Sequence, residues 1–388
     1  MVDWAALQDL IDRCDEAAVA SVLRGLGPEQ RQALAAPLQE HEMRLRADPE
    51  CWAQQPALAV AGAAVLPGAS AVAPWLARND LIRWHPDPRR RFDATGIVLG
   101  ALRDRGVPWL PDLTRLLAER LPARPGRTPL WPLVTGLVSV TGIGPPATDG
   151  FAFCWAAERG PGGIGVAEEI RRDPRLAELI PRLLKVDVVA AWFDTPRSRN
   201  GDGWPTALNM LAAEGLVDRA MLLGSCLAGL RRGGRPGAMR GLLRLHDELA
   251  PTLGEVRSHA RDYLALLSGT RSTVAGMAQR QLRRLDEADM LAAGTLCDAS
   301  AAVLLRTEKT LVRAQLAWLD TAVRRHPGHA GHLVLAMAAA FGQQPADLQA
   351  RADGSFVTQA RADGSFVTQA RRLRSVPPVA ARAYRPAP

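Results

Sequence analysis

Lysine is nearly absent from the 388 residues: Lys185 and Lys309 are the only two, so the 48 basic residues are almost all arginine. Together with abundant alanine, glycine and proline, that bias fits GC-rich coding better than phosphate recognition. Cysteine is scarce and scattered (Cys14, Cys51, Cys154, Cys226, Cys297), odd in number and without a CxxC pair. This excludes a disulfide framework and a zinc knuckle and predicts small buried hydrophobes. Long apolar runs are missing too, because the most lipid-like stretch, Leu58 to Ala73, is broken by Pro67 and is too short for a bilayer. The start, Met-Val-Asp-Trp, lacks the basic and apolar regions of a signal peptide, which places the protein in the cytoplasm. Period-two runs of valine and isoleucine hardly occur, so a β architecture is not expected.

Reaction signatures are equally thin. There is no GxSxG elbow. His41-Glu42 is half of HExxH, but position 45 is leucine. Asp202 in RNGDGWP lacks the alternating carboxylates of a calcium loop. Gly160, Gly162 and Gly165 match GxGxxG, yet FAFCWAAER before them is no convincing buried strand, and Glu168 and Glu169 would face the phosphates. A plain loop followed by acids at a helix start is the better reading. His326, His329 and His332 are spaced by three, but Pro327 and Gly328 put a turn between them and make caps of them rather than a zinc set. The ten tryptophans often adjoin proline (Pro74-Trp75, Pro108-Trp109, Trp131-Pro132, Trp204-Pro205) and read as wedges at helix ends, not as a base-stacking platform. No catalytic residue, cofactor site or metal site is therefore assigned.

The charge is +8 overall, from 48 basic and 40 acidic residues, but its distribution is uneven. Residues 350–388 hold seven arginines against two aspartates, a net of +5, leaving +3 for residues 1–349. A basic groove has little to draw on in that body. With 47% hydrophobic and 23% charged residues, the chain is globular in composition.

What is present is helical periodicity. Leu216, Ala220, Leu223, Leu227 and Leu230 form one stripe. Leu253, Val256, Ala260, Tyr263, Leu264 and Leu267 form a second, and Val274, Met277, Ala278, Leu282 and Leu285 a third. Val312, Leu316, Leu319 and Val323 form a later one. Alternate helices starting near Leu216, Thr252, Asp289 and Pro327 recur every 36 to 38 residues, the interval of a stacked helix-pair unit. Upstream, Asp3–Leu26 and Pro28–Ala47 read as an opening hairpin, with helices over Gln55–Leu66, Ser70–Ile82, Arg91–Arg103 and Pro108–Leu121. The predicted fold is all-α, an irregular HEAT-like α-solenoid of antiparallel helix pairs. Its divisions are 1–141 (N-terminal helical repeats), 142–172 (a Gly/Pro-rich connecting region), 173–350 (C-terminal repeats) and 351–388. The last contains RADGSFVTQA twice, at 351–360 and 361–370, and is expected to be a disordered basic tail.

GWPTALNMLAAEGLVDRAMLL (203–223), LLRLHDELAPTLGEV (242–256), DYLALLS (262–268) and VLLRTEKTLVRAQLAWLD (303–320) carry a resemblance. AFGQQPADLQARA (340–352) and, more weakly, WLPDLTRLLAERL (109–121) add to it. With these stretches the chain resembles an uncharacterised bacterial helical-repeat family, domain of unknown function 6493, over about half its length. The resemblance implies a HEAT-like scaffold similar to proteins encoded near AAA-type ATPases and von Willebrand A-domain proteins, and it implies no reaction. The family pattern ends after Ala352, which implies a truncated, frame-shifted or exchanged C-terminus.

The functional expectation is a non-enzymatic scaffold or adaptor that binds another protein on its concave face. Arg306, Lys309 and Arg313 are the candidate partner contacts, since one of the two lysines falls in that cluster beside Glu308. The alternative is a HEAT-like nucleic-acid-binding protein or base-excision enzyme using concave-face arginines such as Arg240, Arg244, Arg280, Arg283, Arg284 and Arg313. A third expectation, an enzyme in the loops from Gly142 to Gly165, requires a polar pocket there.

Overall fold

The computed structural model describes residues 3–48, 51–83, 91–159, 165–194 and 203–325. The histidine triplet at 326–332, Asp202, the first two glycines of the GxGxxG match and the duplicated tail lie outside the described residues. Within them the chain is all-α, with twenty α-helices and one two-residue antiparallel strand pair. No described helix is long and apolar enough to cross a membrane.

Two compact units divide at Arg219 and Ala220. The first opens with α1 (Trp4–Asp12), α2 (Glu16–Leu23) and α3 (Pro28–Arg46). The expected single helix over Asp3–Leu26 is thus two. Cys14 takes a positive φ of 57°, and Asp15 then accepts a hydrogen bond from the Ala18 amide at 3.0 Å, starting a new helix. At α3, Gln30 reaches back to the Gly27 amide at 3.0 Å and Pro28 occupies the first turn, where no amide hydrogen is needed.

Next come α4 (Gln55–Val65) and α5 (Gly68–Arg78), followed by β1 (Ile82–Arg83) paired with β2 (Phe92–Asp93) through Ile82 opposite Asp93. Then follow α6 (Thr95–Asp104), α7 (Leu110–Ala118) and α8 (Trp131–Thr141). The stretch 142–172, expected as a connecting region, contains α9 (Asp149–Glu158) and α10 (Val166–Arg171). FAFCWAAER therefore lies in a helix and its capping residue rather than a strand, and Thr148 caps that helix by accepting from the Phe151 amide at 3.1 Å. The unit closes with α11 (Leu176–Leu183), α12 (Asp187–Trp192) and α13 (Trp204–Ala213).

Helix α4 is the hub of the first unit. Every residue from Pro56 to Val65 is buried, as expected for a helix apolar on all sides. It packs against α1, α2, α3, α5 and α6. Gly62 lets the Trp75 ring lie against its backbone: a Cβ there would stand 2.0 Å from Trp75 Nε1. The indole N–H donates to the Leu58 carbonyl at 2.7 Å, so the ring is fixed both by shape and by hydrogen bonding. Of the four Trp-Pro neighbours, three sit at helix starts, whereas Pro74-Trp75 lies inside α5. Contacts between next neighbours recur here, α2 with α4, α4 with α6, α6 with α8, and α5 with α7, whereas later in the unit α10 packs on α13 and α12 on α9.

The second unit holds α14 (Arg219–Arg232, its first residue closing the first unit), α15 (Pro236–Leu249), α16 (Leu253–Ser258), α17 (Ala260–Leu267), α18 (Ser272–Glu287), α19 (Ala293–Leu304) and α20 (Lys309–Arg325). The stripes expected on α18 and α20 are buried throughout. On α14 the stripe begins only at Leu223, because Leu216 precedes the helix and is 43% exposed. The segment 253–267 is broken at His259, whose Nδ1 pairs with Asp262 at 2.9 Å in the first turn of α17. Leu266, not Leu264, then faces inward. Here too contacts step along the chain: α16 with α18, α17 with α18 and α19, and α20 with α18 and α19.

Candidate functional site

Most buried polar groups are fully engaged in holding helices together. Asp173 accepts from Trp155 Nε1 (2.7 Å), Arg159 Nη2 (2.9 Å), the Arg175 amide (2.9 Å) and Arg175 Nε and Nη2 (2.9 and 3.0 Å). Burial alone would raise its pKa, but these hydrogen bonds outweigh it and carry the carboxyl down to about 2. Five donors exhaust a carboxylate's capacity, so Asp173 is a joint with nothing left for a substrate. Arg159 completes it by stacking on Trp155, with 4.3 Å to the ring centre.

The same holds for the half-motif His41-Glu42. His41 Nε2 pairs with Asp12 at 2.9 Å, while Glu42 accepts from Arg46 (3.1 Å) and Asn79 (3.0 Å) and pairs with Arg78. The two side chains serve different contacts and share no ligand position. In the second unit Gln279 donates to Gln315 (2.8 Å), which donates to Ser300 (3.0 Å), which donates to the Leu296 carbonyl (2.7 Å). That chain ties α18, α20 and α19 without an orphaned member.

His246 is fully buried, with Nε2 2.8 Å from the Tyr263 hydroxyl. Burial lowers its pKa and raises that of Tyr263, so a neutral imidazole meets a neutral phenol. Cys226 nearby is pushed up to about 12 by burial and donates to the Leu242 carbonyl, which makes it an inert thiol. Cys154 is the other buried cysteine, while Cys14, Cys51 and Cys297 are half-buried, and all five are free. Among the described residues no three His, Cys, Asp or Glu side chains converge as a metal ion would need.

The expected partner contacts separate. Arg306 turns inward, donating to the Leu267 and Thr270 carbonyls at 2.7 Å each and pairing with Glu308. It caps the end of α17 as a cation should, and the pairing lowers the Glu308 pKa. Lys309 and Arg313 are exposed, one turn apart at the start of α20. Of the arginines invoked for nucleic acid, Arg283 pairs with Glu287 at 2.8 Å, and Arg284 donates to Gln281 and the Pro251 carbonyl.

Among the described residues, two cavities of site size stand out in the first unit. One, of about 380 Å³, is lined by Gln55, Asp80 and three arginines: Arg127 pairs with Asp80 at 3.0 Å, Arg78 pairs with Glu42, and Arg120 donates to the Leu116 carbonyl. The other, of about 270 Å³, lies between α2, the start of α3, the end of α4 and α6. Three arginines and one aspartate line it: Arg24, Arg31, Arg105 and Asp104. Arg24 pairs with Asp104 at 3.1 Å. Arg105 donates through Nη1 to the Ala63 and Leu66 carbonyls at 2.6 and 3.1 Å, at the C-terminal end of α4, and stacks on Trp109. Its Nε and that of Arg31 are buried without a hydrogen-bond partner. Burial first, and the Arg31 charge second, lower Arg105 to about 10. Neither cavity is lined by the loops from Gly142 to Gly165. This arginine set escaped the sequence reading because its members come from three separated segments.

The fold and its polar clusters define an all-α protein built on helix-to-helix packing. No family model matches the chain, and neither curated proteins nor solved structures provide a match.

Proposed function

We propose that the chain is a non-enzymatic α-solenoid scaffold, HEAT-like in its helix pairs, that binds another protein along its concave face. The observation that carries this reading is the stepwise contact pattern, α2–α4–α6–α8 in one unit and α16–α18–α20 in the other. Within these two runs a helix leans on its next neighbour, as in arrays stabilised by nearest-neighbour interfaces, whereas α10 packs on α13 and α12 on α9, three helices away. The saturated state of Asp173, Glu42 and Gln315 agrees with it, since these polar groups are spent on cohesion. Lys309 and Arg313, exposed at the start of α20, are the residues we assign to a partner carboxylate, with Arg306 in the turn before them. The resemblance to the helical-repeat family directs attention to AAA-type ATPases and von Willebrand A-domain proteins as partners. Protein is favoured over nucleic acid because residues 1–349 carry a net charge of only +3 and Arg283 is paired with Glu287.

Size-exclusion chromatography with an AAA-type ATPase or a von Willebrand A-domain protein encoded beside this chain tests the reading. Co-elution of a discrete complex is expected, and Lys309→Glu with Arg313→Glu should weaken it at least about tenfold, as for rim charges acting together. Retention of nucleic acid alone, in a salt-sensitive manner, would overturn it.

A further inference from the structure

The 270 Å³ cavity of the first unit has a composition that cohesion does not explain. An arginine at a helix C-terminus is a normal cap, and that role accounts for Nη1 of Arg105. It does not account for Arg31, which approaches closely enough to depress Arg105 further, although no described acidic side chain pairs with either. Two guanidiniums that line one cavity without an acidic partner repel each other, and an anion between them would relieve that repulsion. The only lining acid, Asp104, is paired with Arg24.

The walls fit the same purpose. Gly96 and Gly100 stand one turn apart on α6, and a Cβ at either would meet nothing within 4 Å. Their lack of side chains therefore serves no packing contact and leaves open space in the groove. Leu23 and Ile97 add apolar surface beside the guanidiniums, a setting in which charge-assisted hydrogen bonds gain strength.

We propose that this groove is a binding site for a compact oxyanion, a carboxylate or a phosphate, held between the Arg31 and Arg105 guanidiniums with Arg24 at the rim. The planar fork of arginine matches both oxyanions, and the cavity holds such a group with a short attached moiety. The site belongs to the first unit, whereas the partner contacts Lys309 and Arg313 belong to the second. The two readings therefore fail separately.

Calorimetric titration of the full chain with inorganic phosphate, and in a second arm with succinate, at ionic strength fixed with sodium chloride, tests this. Saturable one-site binding in at least one arm is expected, and the tighter arm identifies a phosphate or a carboxylate ligand. Arg31→Gln should weaken binding at least about tenfold, the loss of a charge-assisted hydrogen bond, with an unchanged melting temperature. Gly100→Leu, which fills the groove and leaves every charge in place, should abolish it. No saturable heat in either arm, or binding that survives Arg31→Gln or Gly100→Leu, overturns the proposal.

Discussion

Replacing Gly62 by alanine should destabilise the first unit, against the helix-forming preference of the two residues. The added methyl would stand 2.0 Å from Nε1 and 2.2 Å from Cδ1 of Trp75, more than about 1 Å inside van der Waals contact. The ring has no room to retreat, being 1% exposed and bonded to the Leu58 carbonyl at 2.7 Å. Overpacking costs about 1–3 kcal/mol and the displaced indole bond about 1 kcal/mol, while alanine returns about 1 kcal/mol of propensity. The net is a loss of about 1–3 kcal/mol, or about 3–10 °C in the melting of a unit of this size. Gly100→Ala makes the identical chemical change inside α6 where nothing lies within 4 Å, and should gain up to about 1 kcal/mol. Thermal melts followed by circular dichroism, with hydrogen exchange of the α4 amides to assign the transition, provide the comparison. Shifts of the same sign for both variants, or a neutral Gly62→Ala, would refute the packing argument.

Gly150→Ala should be at least as harmful, since its Cβ would fall 1.9 Å from the Leu121 carbonyl oxygen and backbone cannot rotate away; the melting temperature checks it. Asp173→Asn strands Arg159 beside a neutral amide, and urea unfolding should register a loss of about 3 kcal/mol. Because Asp173 is lowered from 3.8 to about 2, its contribution is complete above pH 4 and disappears as pH falls from 4 towards 2, a span visible in an acid titration of stability. His246 is lowered from 6.5 by burial, so the unfolded chain takes up the proton first and stability declines as pH drops below about 6.5. Melting temperatures between pH 7.5 and 5.5 should show that decline, and His246→Gln should flatten it.

Periodicity made the helices legible where one face alone is buried. The spacing of Val274, Met277, Leu282 and Leu285, and of Val312, Leu316, Leu319 and Val323, marks the inward faces of α18 and α20. It could not show breaks that keep the stripe in phase. Leu7 and Ile11 run on towards Val19 and Leu23 across a chain reversal at Cys14, and Val256 runs on to Tyr263 across His259. In each case a short polar side chain, Asp15 or Asp262, starts a new helix by a local bond that an apolar count ignores. Helix α4 carries no phase at all because it is buried all round, and only its length and Pro67 distinguished it from a membrane segment.

Arginine clusters were harder to read than the core, and the reason is physical. In a chain with two lysines, arginine is the default cation, so residue type says nothing about role; what separates one arginine from another is which acceptor lies within reach after folding. Arg306 stood out in sequence beside Lys309 and Glu308, yet the bare carbonyls ending α17 draw it inward. Arg105 was inconspicuous, and the bare carbonyls ending α4 draw it inward in the same way. The two differ in what stands next to them. Arg306 meets Glu308 and is neutralised, whereas Arg105 meets Arg31 and is not. Identical capping chemistry thus yields a closed joint in one unit and an open, positively charged groove in the other. That contrast lies in the neighbours each arginine meets after folding, and no count of charges along the chain could show it.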